Sequence, residues 1–210
     1  VYRVLKVLFL QRNYHEHPYR SQLIILPLKY QTKMKLHKRT KIYKGKTISL
    51  REDLLERPDG SFTRWSVVEH PGAVAMIPLD GSGNVILVDQ FRYAAEESLL
   101  ELPAGTCEEN ETPIETARRE LREEIGMDTR EITPFGGFFT APGFTNEYIH
   151  LFVARNLFPA PNHEPDEDED ITVRVVSLDD LESLIESGEI RDAKTIAGLI
   201  KYKFFANPEH

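Results

Sequence analysis

The stretch GTCEENETPIETARRELREEIGM, from Gly105 to Met127, constrains this chain more than any other. Thr112, Pro113 and Glu115 have the spacing of a capped helix start, in which Thr112 and Glu115 satisfy each other's backbone amides and proline, with no N–H to donate, takes the first helical position. At about 100° per residue, Ile114, Ala117, Leu121 and Ile125 fall on one apolar stripe, and Gly126 can adopt the left-handed conformation that ends a helix. One face is therefore core. Glu120, Glu123 and Glu124 crowd the neighbouring face at spacings where like charges repel by roughly 0.2–0.5 kcal/mol per pair. Something must offset that repulsion. Arg119 can neutralise and orient one carboxylate, and hard divalent cations such as Mg²⁺ prefer oxygen donors of this kind. The competing reading is a solvated acidic surface.

Composition narrows the class. With 210 residues, 40% apolar and 29% charged, the chain fits one domain of ordinary size with an appendage, or one large and one very small domain. No apolar run approaches the roughly 18–20 residues of a membrane span, so the expectation is a soluble globular protein with no membrane partner. A net charge of −8 argues against the broad basic face that nucleic acid requires. Phosphate substrates remain allowed, because bound cations invert the potential of an acidic site. The single cysteine, Cys107, forms no intrachain disulfide and suits a reducing, cytoplasmic compartment.

In chain order, residues 1–34 read as a basic extension of no functional consequence, residues 1–33 having six Lys or Arg against one Glu. Lys6 interrupts the short apolar run and no small-residue cleavage pattern follows, so a secretory signal is not expected, and Met34 is a candidate natural start. Residues 35–70 alternate and turn, with Pro58-Asp59-Gly60 between two strands, and read as an accessory antiparallel sheet. Trp65, in its second strand, is either core or an exposed stacking surface. Residues 71–210 form the main domain. AVAMIPL and VILVDQFRY, separated by DGSGN, read as a hairpin; EYIHLFVA and ITVRVVS read as strands. Ser177 to Asp180 and then Asp192 open the last two helices. Between Glu164 and Asp170 lie six acids in seven positions, which on composition alone make a solvated loop.

The pattern Gly105, Glu111, Arg119-Glu120-Leu121, Glu123-Glu124 and Gly126-Met127 resembles the Nudix box without a departure. The resemblance covers about residues 40–205 and implies an α/β fold, a mixed sheet sandwiched between helices, with the 35–70 region as an N-terminal accessory antiparallel sheet. It also implies metal-dependent hydrolysis of a nucleoside diphosphate linked to another moiety. Glu120 and Glu124 would be the principal metal ligands, Glu123 would share a further ion or a bridging water, Arg119 would hold the glutamates, and Glu111 would brace the loop. The flanking sequences HPGAVAMIPL, VDQFRYAAEESLLELPAG and TAPGFTNEYIHLFVA resemble the ADP-ribose pyrophosphatases of that superfamily, and Pro142, fifteen residues beyond Met127, matches their downstream proline.

From that narrower resemblance, the Ala104 carbonyl would complete a metal site, Arg92 would contact phosphates and Trp65 would stack on adenine. Glu167 would be the general base and Glu169 an extra metal ligand, and Pro142 and Glu147 would join Trp65 and Arg92 at the substrate. Should the acidic loop prove inert, Glu123 and Glu147 are the next candidates for the base. Mg²⁺, or Mn²⁺, is the implied cofactor, ADP-ribose the implied substrate, and a homodimer through the accessory sheet the implied assembly. Two rivals stay open: a Nudix enzyme for another nucleoside diphosphate derivative, such as a nucleotide sugar or a dinucleoside polyphosphate, and a non-catalytic ADP-ribose-binding regulator.

Overall fold

The computed structural model describes residues 34–161 and 171–206. Its centre is a four-stranded mixed sheet, in the order β7 (Ala104–Thr106), β4 (Ala73–Pro78), β9 (Tyr148–Pro159) and β8 (Met127–Phe139). β4 runs parallel to β9 and antiparallel to β7, while β8 and β9 are antiparallel. All six residues of β4 are buried, as expected of a strand covered on both faces.

The alternation along the strands shows what covers each face. Val74 and Met76 of β4, with Phe152 and Ala154 of β9, pack with Ala117, Leu121 and Ile125 of α1 (Pro113–Ile125). Ala73, Ala75 and Ile77 point the other way, with Ile149, Leu151 and Val153, into a core closed by Leu181 of α2 (Leu181–Glu186) and Leu199 of α3 (Ala193–Phe205). Successive strand residues face opposite sides, so one apolar run fills both cores. The sheet thus lies between helices.

A second sheet, β10 (Ile171–Val176), β5 (Val85–Arg92) and β6 (Glu97–Glu101), is antiparallel throughout. The expected hairpin of β4 with β5 does not form: the two strands meet only at a Leu79–Val85 bridge and then enter different sheets. Both edges of β4 are already occupied by β7 and β9, and those of β5 by β10 and β6, so neither has an edge to offer the other.

The accessory sheet is a meander of β1 (Lys35–Lys44), β2 (Ser49–Glu56) and β3 (Phe62–Glu69). At the turn between β2 and β3, Gly60 has φ +80°, and the Asp59 carboxylate accepts from the Ser61 amide at 2.9 Å. Its only strongly buried polar anchor among the described residues is Asp53, whose carboxylate accepts from Arg39 at 2.8 and 2.9 Å and from Arg51 at 3.1 Å. The sheet joins the main domain where the Val68 amide donates to the Phe144 carbonyl and where the Asn146 side chain bonds the His70 backbone at both its N–H and its C=O.

Candidate active site

Helix α1 starts and stops as its sequence dictates. The Glu115 carboxylate accepts from the Thr112 N–H at 2.8 Å and from its hydroxyl at 2.6 Å, and Gly126 closes the helix with φ 67°. The apolar stripe is narrower than expected: Ala117, Leu121 and Ile125 are buried, whereas Ile114, in the first turn, is 39% exposed. The adjacent acidic face is only partly solvated. Glu120 and Glu124 are buried despite their charge, at 9% and 6% exposure, which argues against a simple solvated surface.

Arg119 organises this face. Its Nη1 donates to Glu120 Oε1 and to Glu123 Oε2, each at 2.7 Å, while Nε and Nη2 donate to Glu111 at 3.1 Å. Burial alone would lower the guanidinium pKa, but the hydrogen bonds and charges of Glu111, Glu120 and Glu123 outweigh it and hold it above its ordinary value. Reciprocally, the hydrogen bond from Arg119 holds the Glu111 carboxyl below the usual range. Glu111 also accepts from Thr116 Oγ1 at 3.0 Å, so it braces the loop to the helix.

The strand beneath completes the arrangement. Glu124 Oε2 accepts from the Ala104 N–H at 2.8 Å. At Gly105 an added Cβ would lie 1.9 Å from Glu120 Oε1, so the glycine exists to let this carboxylate sit against the backbone. A cleft of about 600 Å³ is lined by Ala104, Gly105, Thr106, Arg119, Glu120 and Glu123 together with Arg92, Cys107 and Lys46. Burial is the chief reason the Cys107 thiol has a raised pKa, which makes it a poor nucleophile.

Among the described residues, no three acidic, His or Cys side chains form a ready-made cation cluster; Arg119 bridges the carboxylates instead. The donor set nonetheless fits a hard divalent cation. It consists of carboxylate oxygens beside a backbone segment, with the position of Glu120 secured by the missing side chain at Gly105.

The remaining predicted residues divide. Arg92 lines the cleft, and its Nε and Nη2 donate to Glu101 at 2.9 and 2.6 Å. Trp65, Pro142 and Glu147 are not among the residues lining the cleft. Trp65 is 49% exposed, which removes the core reading. Pro142 lies in an exposed turn, and Glu147, in the loop just before β9 and not on the strand, accepts from Thr140 Oγ1 at 2.6 Å. Glu167 and Glu169 lie outside the described residues, as does the extension 1–33. Lys46 and Thr47, from the turn between β1 and β2, line the cleft although no sequence signal singles them out; only proximity across the fold brings them there.

The family model described as the NUDIX domain matches residues 69–199. The chain belongs to this family. It is 42% identical over 155 residues to the ADP-ribose pyrophosphatase of Bacillus subtilis (strain 168), covering 73% of this chain and 84% of that protein. It is 38% identical over 160 residues to the methanol dehydrogenase activator of Bacillus methanolicus, covering 76% and 86%. A crystal structure of an ADP compounds hydrolase shares the Nudix fold at a TM-score of 0.72 and 21% identity, covering 81% of this chain and 92% of that one. The present chain is thus an enzyme of the Nudix pyrophosphohydrolase group.

Proposed function

We propose that this Nudix enzyme hydrolyses the pyrophosphate bond of ADP-ribose to AMP and ribose 5-phosphate. The observation that carries the proposal is the gathering of Glu120 and Glu123 with the Ala104–Gly105 segment in a single cleft that also contains Arg92. Glu120, Glu124 and the Ala104 carbonyl would hold Mg²⁺, or Mn²⁺, with Glu123 on a further ion or its water. When bound, such cations supply positive charge that offsets the pyrophosphate and polarises it toward attack by water.

The protein's own groups position the reactants. Arg119 keeps the carboxylates aimed at one region, Gly105 gives Glu120 its place, and Arg92 presents a cation for a phosphate. A carboxylate must take the proton of the attacking water, and Glu167 is the proposed base with Glu169 as an added ligand. Glu123 and Glu147 follow as alternatives, and Glu123 already lines the cleft.

Adenine selectivity is assigned to Trp65, on an accessory sheet that also exposes Phe62, Tyr43 and Ile42. Apolar exposure of this kind supports a homodimer in which partner strands complete the adenine pocket. Pro142 would shape the loop that meets the substrate. Among the described residues, no helix is long and apolar enough to cross a membrane. With one cysteine in the chain, a cytoplasmic site of action is the reading we adopt.

A second reading, hydrolysis of another nucleoside diphosphate derivative, follows from the absence of Trp65, Pro142 and Glu147 from the cleft lining. The test is a panel of ADP-ribose, nucleotide sugars and dinucleoside polyphosphates with Mg²⁺ or Mn²⁺, scored by kcat/KM. ADP-ribose is expected to rank first; a higher value for any other member would overturn the assignment.

A further inference from the structure

We infer that Glu101 is the positioning residue for Arg92, fixing its guanidinium at the cleft, and that Lys194 in the first turn of α3 steadies Glu101 in turn. This rests on reading the cleft as the pyrophosphate site. Glu101 is 1% exposed and ends β6. Burying a carboxylate is costly, and buried ion pairs are often no more stabilising than apolar residues of equal volume. Stability alone therefore gives a weak reason for a carboxylate there.

The geometry supplies a better one. Arg92 closes β5, its side chain is 37% exposed, and it reaches the cleft. An arginine so placed would sample many rotamers, but its Nε and Nη2 are held in parallel by the two oxygens of Glu101, which fixes the plane of the fork. Glu101 itself does not line the cleft, so its influence passes through Arg92.

Helix α3 anchors the pair from the other side. Lys194 Nζ donates to Glu101 Oε2 and lies 3.1 Å from Asp192 Oδ2. Thr195 Oγ1 accepts from the Leu102 N–H at 2.8 Å and donates to Asp192 at 2.6 Å, and Asp192 also accepts from the Thr195 N–H as the helix cap. The first turn of α3 is thus bonded to the side chain of one β6 residue and to the backbone just after it. Two cations and two carboxylates, Arg92, Lys194, Glu101 and Asp192, make a chain that ends at the cleft.

The test is a double-mutant cycle with Glu101→Gln, Arg92→Ala and the pair, using whichever nucleoside diphosphate derivative the wild type turns over. Calorimetry of inorganic pyrophosphate binding with Mg²⁺ provides a readout that needs no turnover. Glu101→Gln should raise KM and the pyrophosphate Kd about 10-fold, with kcat changed far less, and should add nothing in the Arg92→Ala background. Lys194→Met should act in the same direction by about 3-fold. If Glu101→Gln fails to fold, the cycle of Lys194→Met with Arg92→Ala replaces it and must show the same non-additivity. Additive effects in a protein that still turns over its substrate overturn the positioning role and leave the proposed activity standing. Non-additive pyrophosphate binding in a protein that hydrolyses no member of the panel does the reverse. Neither turnover nor pyrophosphate binding in the wild type overturns both.

Discussion

The loop and helix from Gly105 to Gly126 and the accessory sheet from Lys35 to Glu69 handle their awkward residues in opposite ways. In the first, the charged groups are matched within the chain: Arg119 serves Glu111, Glu120 and Glu123, and the Ala104 amide serves Glu124. In the second, Trp65, Phe62, Tyr43 and Ile42 stay about half exposed, and among its paired groups Asp53, between Arg39 and Arg51, is the buried one. The helix segment therefore matches its charges locally, whereas the accessory sheet leaves apolar side chains facing outward.

The sharpest way to break this contrast is at the helix. Glu124→Gln keeps the volume and an oxygen able to accept from the Ala104 N–H, so the melting temperature should stay nearly unchanged while turnover falls by several orders of magnitude. Near-normal turnover at saturating Mg²⁺ would remove Glu124 from the site. Gly105→Ala should come next. Its Cβ meets the far end of the Glu120 side chain, which can swing away, so a stability loss of about 1–2 kcal/mol is expected with a clearly raised Mg²⁺ requirement. A calorimetric melt and a metal titration on the same sample check both parts.

On the accessory sheet, Trp65→Ala should raise KM for ADP-ribose more than it lowers kcat, because stacking acts in ground and transition states alike. Being half-exposed in one chain, Trp65 should cost that chain well under the roughly 3–5 kcal/mol of a buried aromatic. A collapse in chemical denaturation would contradict the exposed placement.

Acid should act on both regions. Asp53, held low chiefly by its hydrogen bond from Arg39, and Glu111, held low chiefly by that from Arg119, have folded-state pKa values below their ordinary ones. Each stabilises the fold above its unfolded pKa, and that stability is lost as pH falls through the folded value. Denaturation midpoints should therefore drop below about pH 4.5, the ordinary glutamate value, and Glu111→Gln should make the decline shallower. An unchanged slope would show that Glu111 is not paired in solution.

Much of this was legible because its causes are local. Thr112, Pro113, Glu115 and Gly126 fix α1 by short-range hydrogen bonds and backbone preference, and Asp192 does the same for α3. Asp180 shows the limit: it precedes α2 but makes no side-chain cap bond. Strand β8 lacks a plain strand signal, since Pro134, Gly136 and Gly137 interrupt it; the register shift between Pro134 and Gly137 absorbs the irregularity against β9. The pairing of β4 and β5 with other strands was equally hidden, because two apolar runs separated by a turn look the same whether they pair or part. In the site, the carboxylates of α1 could be read from spacing, while the grip of Glu101 on Arg92 and the arrival of Lys46 depend on contacts between separate elements.

The α1 cleft is expected to cleave the pyrophosphate of ADP-ribose, and to do so only with bound cations. The most direct test is mass-spectrometric product analysis after incubating the full chain with ADP-ribose, once with Mg²⁺ and once with a chelator. AMP and ribose 5-phosphate in equal amounts are expected with Mg²⁺, and intact ADP-ribose with the chelator. Intact ADP-ribose in both samples from a folded protein, or the same products in both, would contradict that expectation.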